Sequence, residues 1–161
     1  MKLNLQPELV SDAIEEALRH LDQKAARRKI VTDLQDDLLM VRMDSALIVQ
    51  VLINLSNNAV KYTPEEGKIT IGAKAEGHTA VLWVEDEGQG VPKGDEEKVF
   101  EMFYTGVKHS ADSRRGIGLG LALCRSIVQA HGGEIWMMNA RPHGAKVSFT
   151  LPIAEVKEYE Q

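Results

Sequence analysis

The chain has a single cysteine, Cys124, among its 161 residues. One thiol cannot form an internal disulfide, and it excludes a cysteine-rich zinc site. Such sparing use of cysteine is typical of proteins that work in a reducing compartment. We therefore expect Cys124 to fill space in a hydrophobic core.

Long apolar runs and an excess of positive charge are also absent. No apolar run approaches the ~18 residues of a membrane helix, and residues 1–7 lack the basic and apolar regions of a signal peptide. We expect a fragment that is neither membrane-embedded nor secreted. The net charge of -5 argues against a nucleic acid partner, and the short basic cluster Arg27–Arg28–Lys29 is interpreted as a solvated helix end.

The length predicts one domain over residues 1–154, followed by a charged tail over residues 155–161. Apolar spacing and turn residues predict helices over 8–28, 44–62 and 119–130, and strands over 30–34, 38–42, 68–75, 79–85, 134–138 and 145–151. The first two strands are expected to flank a short polar turn. Strands in adjacent pairs favour an α+β fold, a two-layer α/β sandwich with a mixed, mostly antiparallel sheet and three helices on one face.

The second predicted helix carries a polar group of side chains beside its apolar face. At ~100° per residue, Asn54, Asn58 and Lys61 lie within ~60° of one another, with Tyr62 at the edge. The adjacent apolar face is formed by Ile48, Leu52, Leu55 and Ala59. Carboxamides can coordinate a hard cation or hydrogen-bond a phosphate, and Lys61 adds positive charge. This face predicts a metal-phosphate site.

A carboxylate and two glycines follow the strand over 79–85. Asp86 can accept a hydrogen bond from the amino group of a base, while Gly88 and Gly90 let the backbone pass close to a flat ring. Taken alone, the same pattern also fits an ordinary glycine turn that leaves a strand.

A second series of glycines stands at the start of the third predicted helix, namely Gly116, Gly118 and Gly120. Leu119 lies between the last two. Backbone N–H groups at a helix N-terminus favour anions, so this series predicts a phosphate cradle. A flexible loop capping the helix is the alternative. The spacing matches neither the dinucleotide-binding pattern nor the P-loop. Three cations precede the glycines and could contact phosphate or remain solvated, namely Lys108, Arg114 and Arg115.

These motifs, in this order and spacing, resemble the catalytic and ATP-binding domain of bacterial sensor histidine kinases. That family belongs to the Bergerat-type group shared with gyrase B subunits, Hsp90 chaperones and MutL repair proteins. The resemblance runs from about Leu5 to Pro152 and includes residues 54–62 (N box), 86–90 and 116–121 (glycine boxes), 99–103 (F box) and 144–152. The second half, including Asn139, Arg141 and Pro142, is most similar to KdpD-type potassium sensor kinases.

The resemblance implies that the chain binds ATP and Mg²⁺. Asn58 would hold Mg²⁺ with Asn54 assisting, Lys61 would contact phosphate, and these three residues would form the catalytic set. Tyr62 would pack near the nucleotide, and Asp86 would accept the adenine amino group. The remaining nucleotide contacts would come from Gly88, Gly90, Lys108, Arg114, Arg115, Gly116, Gly118, Leu119 and Gly120.

Further implications concern the ATP lid and the neighbours of Asp86. Residues 104–116 would form the lid, and Phe100 and Phe103 are expected to anchor its base in the core. Many relatives have a threonine where this chain has Ala145. A hydroxyl that supports Asp86 would therefore be missing.

Asn54 indicates the kind of reaction. Gyrase-like and Hsp90-like ATPases have a glutamate base at the corresponding position, whereas a carboxamide has no useful proton affinity. We therefore expect slow ATP hydrolysis and a site suited to phosphoryl transfer. An anti-sigma-type serine kinase that stands alone and a non-catalytic nucleotide-binding regulator are the alternatives.

None of the five histidines fits the phosphoacceptor motif of the resembled family. His20 lies in the first predicted helix, and we interpret it as a surface residue. The resemblance implies that the acceptor lies on a dimerisation and phosphoacceptor domain of the same parent protein. It also implies a response regulator as partner and a cytoplasmic position in a membrane-bound sensor.

Overall fold

The computed structural model describes residues 1–21, 25, 27–101 and 119–154. In chain order the elements are β1 (Gln6–Leu9), α1 (Val10–Arg19), β2 (Lys29–Leu34), β3 (Met40–Met43), α2 (Ser45–Tyr62), β4 (Lys68–Glu76), β5 (Thr79–Glu85), a 3₁₀ turn (Lys98–Phe100), α3 (Leu119–Ala130), β6 (Ile135–Asn139) and β7 (Ala145–Pro152). None of the helices within these ranges combines the length and apolar composition that crossing a bilayer requires.

The main sheet has five strands in the order β2-β4-β5-β7-β6, and β1 pairs with β3 in a separate two-stranded sheet. Only the β2–β4 pairing is parallel in the main sheet, and the other three pairings are antiparallel. The predicted α+β fold with a mixed, mostly antiparallel sheet is confirmed.

One hydrophobic core lies between the helices and the main sheet. Alternate residues of the central strands, such as Ile71, Leu82 and Phe149, pack in the same buried cluster as side chains of all three helices. Helix α2 crosses β4 and β5, while α3 lies over β6 and β7. The period-two alternation of the strands therefore directs one face of the sheet to the helices. The helix α1 completes the layer by packing against α2.

The N-terminal region agrees with prediction in its two strands and departs from it in its first helix. The strands β2 and β3 flank the predicted polar turn, and they enter different sheets, because β2 pairs in parallel with β4 and β3 pairs with β1. The first helix ends at Arg19 and not at residue 28, and its predicted start is occupied by strand β1. His20 caps the C-terminus of α1 and is exposed, as expected of a surface residue.

The later elements agree with prediction. Helix α2 runs from its Asp44 N-cap to Tyr62, and α3 covers Leu119–Ala130. The β4–β5 hairpin turns at Gly77 and His78, and the last two strands lie within one residue of their predicted bounds. Phe100 is buried as an anchor of the core, whereas Phe103 and residues 155–161 lie outside the described residues.

Candidate functional site

Helix α2 carries the first part of the candidate site. Its N-terminus is fixed by the Asp44 side chain, which accepts a hydrogen bond from Leu47 N at 3.4 Å. The face predicted to be apolar is buried, while Asn54 and Asn58 are half-buried and Lys61 is exposed. The polar group therefore borders the core, as predicted.

His131 fixes the start of α2 from the other side. Its Nε2 accepts a hydrogen bond from Asp44 N at 3.0 Å, and its Nδ1 donates to Ile127 O at 2.8 Å. The two partners define a neutral ring with the proton on Nδ1. Because His131 is buried and both ring nitrogens are used, it serves to join α2 and α3.

The Asn54 carboxamide is held by neighbours from two helices. Gln50 Nε2 donates to Asn54 Oδ1 at 3.2 Å, and the Cys124 thiol of α3 lies against the Asn54 side chain. Burial raises the pKa of Cys124 to about 12, against a smaller opposing effect of the hydrogen bond from Asn54. Cys124 is therefore a neutral, buried thiol, which confirms its predicted role as core filler.

Lys61 and Tyr62 form the C-terminal end of this face. Lys61 Nζ lies 5.5 Å from the centroid of the Tyr62 ring, a cation–π distance. Burial raises the pKa of Tyr62, so the phenol is neutral at physiological pH. Tyr62 as a whole residue is still 40% exposed. A flat aromatic surface is therefore available beside the cation.

Arg28 caps the C-terminus of α2, and this corrects the interpretation of residues 27–29 as a solvated helix end. The Arg28 guanidinium donates to Val60 O at 3.1 Å and to Thr63 O at 2.8 Å. Carbonyls of the last helical turn have no partner within the helix, and a cation also complements the helix dipole. Arg27, in contrast, is exposed and pairs with Glu65 on the surface.

Asp86 follows directly after β5 and is only partly exposed. Its Oδ1 accepts hydrogen bonds from Gly88 N at 2.8 Å and from Ala145 N at 3.1 Å. Among the described residues, no donor reaches Oδ2. One carboxylate oxygen thus fixes the side chain, and the other is left for a ligand. The contact from Ala145 is a backbone N–H, so it does not depend on the hydroxyl that Ala145 lacks.

The electrostatics of Asp86 follow from this arrangement. Burial raises the pKa of the Asp86 carboxyl above its ordinary value, and the hydrogen bonds from Gly88 and Ala145 oppose that rise. The charged form is therefore less well solvated than a surface aspartate. Such a carboxylate gains from a ligand that donates a hydrogen bond to it.

Gly88 brings the two parts of the site together. A Cβ atom at this position would lie 2.4 Å from Tyr62 O, so only glycine allows the backbone to pass the end of α2 at this distance. The loop that begins with Asp86 therefore abuts the helix that carries Asn54, Asn58 and Lys61. Gly90 lies farther along the same loop with a φ of 78°, a conformation that favours glycine.

Some predicted residues cannot be placed. The predicted lid, residues 104–116, and the predicted contacts Lys108, Arg114, Arg115, Gly116 and Gly118 lie outside the described residues. Leu119 and Gly120 form the first turn of α3, as expected for the residues that open this helix.

Sequence reasoning missed several residues that hold the site in place. They are Arg28 at the end of α2, Gln50 beside Asn54, and Asn139 and His143 beside the glycines that follow Asp86. In the sequence, Asn139 belongs only to the segment that resembles KdpD-type kinases. Their partners are distant in sequence or exposed, so no local pattern distinguishes them.

Comparisons with known proteins give the family of this chain. Residues 43–155 match the family described as histidine kinase-, DNA gyrase B-, and HSP90-like ATPase. The sensor protein KdpD of Clostridium acetobutylicum is 39% identical over 94% of this chain. This chain spans only 17% of that relative's length.

Solved structures give the same result. The catalytic domain of histidine kinase ThkA has a TM-score of 0.81 at 31% identity, with 93% of this chain and 96% of that chain covered. ThkA has also been solved in complex with the response regulator protein TrrA, with a TM-score of 0.78 at 29% identity over 93% of this chain and 42% of that chain. Full-length ShkA in complex with AMPPNP has a TM-score of 0.82 at 26% identity, over 97% of this chain and 32% of that chain.

The family match covers more than half of the chain, and the motifs, the fold and the solved neighbours agree with it. The chain therefore belongs to the histidine kinase-, DNA gyrase B- and HSP90-like ATPase family, as a catalytic domain of the sensor histidine kinase type.

Proposed function

We propose that this chain binds Mg-ATP and transfers the γ-phosphate to a histidine on a dimerisation and phosphoacceptor domain of its parent protein. The observation that carries the proposal is the contact between the Asp86 loop (residues 86–91) and the end of α2. Because of this contact, a base acceptor and a phosphate-binding face belong to one continuous surface. A nucleotide needs both at once.

The base would bind at Asp86. Its Oδ1 is already used by two backbone N–H groups, which leaves Oδ2 for a single donor such as the adenine amino group. The exposed Tyr62 offers a flat surface for the base. The solved relative ShkA holds AMPPNP, which supports an adenine nucleotide as the ligand.

Mg²⁺ would enter with the nucleotide. Among the described residues, no group of three acidic, histidine or cysteine side chains could hold a metal. Mg²⁺ is commonly held by few protein oxygens together with substrate phosphates, and the half-buried Asn58 offers such an oxygen. The ion would neutralise phosphate charge. Lys61 would add its own charge beside Asn58.

On the described face of α2, no side chain near Asn54 is a general base, and this favours transfer to a protein over hydrolysis. Asn54 cannot accept a proton from water, and the nearby Cys124 thiol is neutral. The residues of α2 would therefore position the phosphates and leave the γ-phosphate for an acceptor histidine. The similarity to sensor histidine kinases favours this reading over a stand-alone serine kinase or a non-catalytic regulator.

The partners follow from the same proposal. They are the phosphoacceptor domain of the parent and a response regulator, by analogy with the ThkA complex. The chain would act on the cytoplasmic side of a membrane-bound sensor. The predicted lid would close over the phosphates with Lys108, Arg114 or Arg115, beside the glycines that precede α3.

The direct test is incubation of the chain with γ-labelled ATP, Mg²⁺ and a separately made acceptor hairpin from the parent protein. We expect label on the hairpin that is labile in acid and stable in base, as phosphohistidine is. A hairpin whose histidine is replaced by glutamine should remain unlabelled. Acid-stable label on serine would instead identify a serine kinase, and no label on any protein would contradict the proposal.

A further inference from the structure

Asn139, at the end of β6, holds the last residue of the Asp86 loop with both ends of its carboxamide. Its Oδ1 accepts a hydrogen bond from Val91 N at 2.9 Å, and its Nδ2 donates to Val91 O at 3.1 Å. A side chain that satisfies both backbone groups of one residue acts as a neighbouring strand does. Val91 is therefore fixed in position and in orientation.

The turn that follows Asn139 holds the rest of the same loop. His143 Nδ1 lies 3.1 Å from Gly88 O, and because a carbonyl only accepts, the ring nitrogen donates. Ala145 N donates to Asp86 Oδ1. The turn is closed by a hydrogen bond from Ala140 N to Gly144 O at 2.8 Å. This β6–β7 corner (residues 139–145) thus contacts the Asp86 loop at its start, middle and end.

The packing around Gly90 shows how closely the corner and the loop fit. A Cβ atom at Gly90 would lie 2.5 Å from Asn139 Oδ1. Asn139 and His143 are nevertheless exposed and belong to no hydrophobic cluster. Their hydrogen bonds therefore set the shape of the loop, and their removal leaves the core intact.

We propose that Asn139 is the positioning residue of the nucleotide site. Through Val91 it holds the Asp86 loop in the conformation that receives the base, and His143 assists through Gly88. The inference rests on the proposed function, since it assigns the Asp86 loop to base recognition. It predicts that loss of Asn139 weakens the contact of the Asp86 loop with the base and leaves the contacts of α2 with the phosphates unchanged.

The test is calorimetric titration of the 161-residue chain with ADP and with ATP, both with Mg²⁺. Asn139→Ala removes two hydrogen bonds and should raise both Kd values about tenfold, with an unchanged ratio between them. The matched control is Gln35→Ala, an exposed carboxamide after β2 whose side chain has no hydrogen bond to the described residues. It should bind as wild type does, and both variants should unfold in one cooperative thermal transition well above the titration temperature.

His143→Ala provides a second variant that leaves Asn139 intact. It removes one hydrogen bond and should raise the Kd values about threefold. His78→Ala, at the exposed β4–β5 turn, should leave the Kd values unchanged. A double-mutant cycle then tests the route of action. In an Asp86→Asn background, Asn139→Ala should raise the Kd values less than about threefold. The contact between Asp86 and the base, which Asn139 positions, is already lost there.

Three results would each overturn the inference. The first is wild-type affinity in Asn139→Ala, and the second is a full tenfold rise in Kd when Asn139→Ala is added to Asp86→Asn. The third is a changed ratio between the Kd values for ADP and ATP. If the wild-type chain itself bound no adenine nucleotide, the proposed function would fail first. The two failures are therefore distinguishable.

Discussion

At the scale of single residues, Asp86 is a partly buried carboxylate whose charged form opposes stability. Burial makes its charged form costly, and two backbone hydrogen bonds compensate only in part, so its pKa is raised. A group whose folded pKa is raised contributes most to stability below its unfolded pKa. That contribution is lost as the pH rises through the folded pKa. At neutral pH the charged Asp86 therefore lowers stability, and we expect its role to be recognition.

Asp86→Asn should therefore separate binding from stability. We expect the Kd for ATP to rise about tenfold or more, since the amide presents a donor to the adenine amino group. The free energy of unfolding at pH 7 should be equal to or above that of wild type. Urea unfolding from pH 3 to 8 should show this difference, variant minus wild type, growing as the pH rises. A difference of the opposite sign would contradict the raised pKa.

Gly88 and Gly120 provide a matched pair of glycine-to-alanine substitutions. Gly88→Ala should lower the free energy of unfolding by about 1–3 kcal/mol, because the new Cβ would strike Tyr62 O. At Gly120 no described atom lies within 4 Å of an added Cβ. Gly120→Ala should therefore raise the free energy of unfolding by up to about 1 kcal/mol. Equal urea midpoints for the two variants would show that the loop at Gly88 can move away from α2.

At the scale of elements, helix α2 organises the site, and its two ends are held by residues from elsewhere in the chain. Its start and end were predictable, since Asp44 is a good N-cap and Pro64 follows closely. The residues that hold those ends were not. His131 contacts Asp44 across 87 residues, and Arg28 contacts Val60 across 32. Such long-range contacts leave no periodic signal.

Arg28→Ala tests the importance of the C-terminal cap. It leaves the carbonyls of Val60 and Thr63 without their charged donor and should lower the free energy of unfolding by about 1.5–3 kcal/mol. Arg27→Ala is the matched control, because its surface ion pair with Glu65 contributes less than about 1 kcal/mol. If both variants lost the same stability, the cap would have no special role.

The strands show the same limit of local reasoning. The β4–β5 hairpin was predictable because its two halves alternate across a short glycine turn. The run of β2, turn and β3 has similar local features, yet its strands enter different sheets. Parallel pairing of β2 with β4 requires the α2 crossover, and no property of β2 alone reveals it. Strand β1 has four residues including Pro7, too short a signal to detect.

At the scale of the whole molecule, one sheet and one helix bring Asp86 and the polar face of α2 together. The sequence singled out Asp86, the glycines and the α2 face as candidates, because each has a compact motif. It could not locate Asn139 and His143, whose partners lie 48 and 55 residues away. The role of the β6–β7 corner emerges only when the chain is folded.

The carboxamide of Asn54, where a general base would stand, gives a prediction for the whole chain. We expect phosphate release from Mg-ATP by the isolated chain to stay near the buffer blank over hours, because Asn54 cannot activate water. A coupled phosphate assay measures this directly, with Asn58→Ala as the background control. Rapid hydrolysis by the wild-type chain that Asn58→Ala abolishes would contradict the argument from Asn54.

The central claim is that the surface formed by α2 and the Asp86 loop binds an adenine nucleotide. Calorimetric titration of the chain with ATP in the presence of Mg²⁺ tests it most directly. The prediction is one site per chain with micromolar or weaker affinity, a marked loss in Asp86→Asn, and loss of the Mg²⁺ dependence in Asn58→Ala. The absence of any adenine nucleotide binding to the folded wild-type chain would contradict the claim.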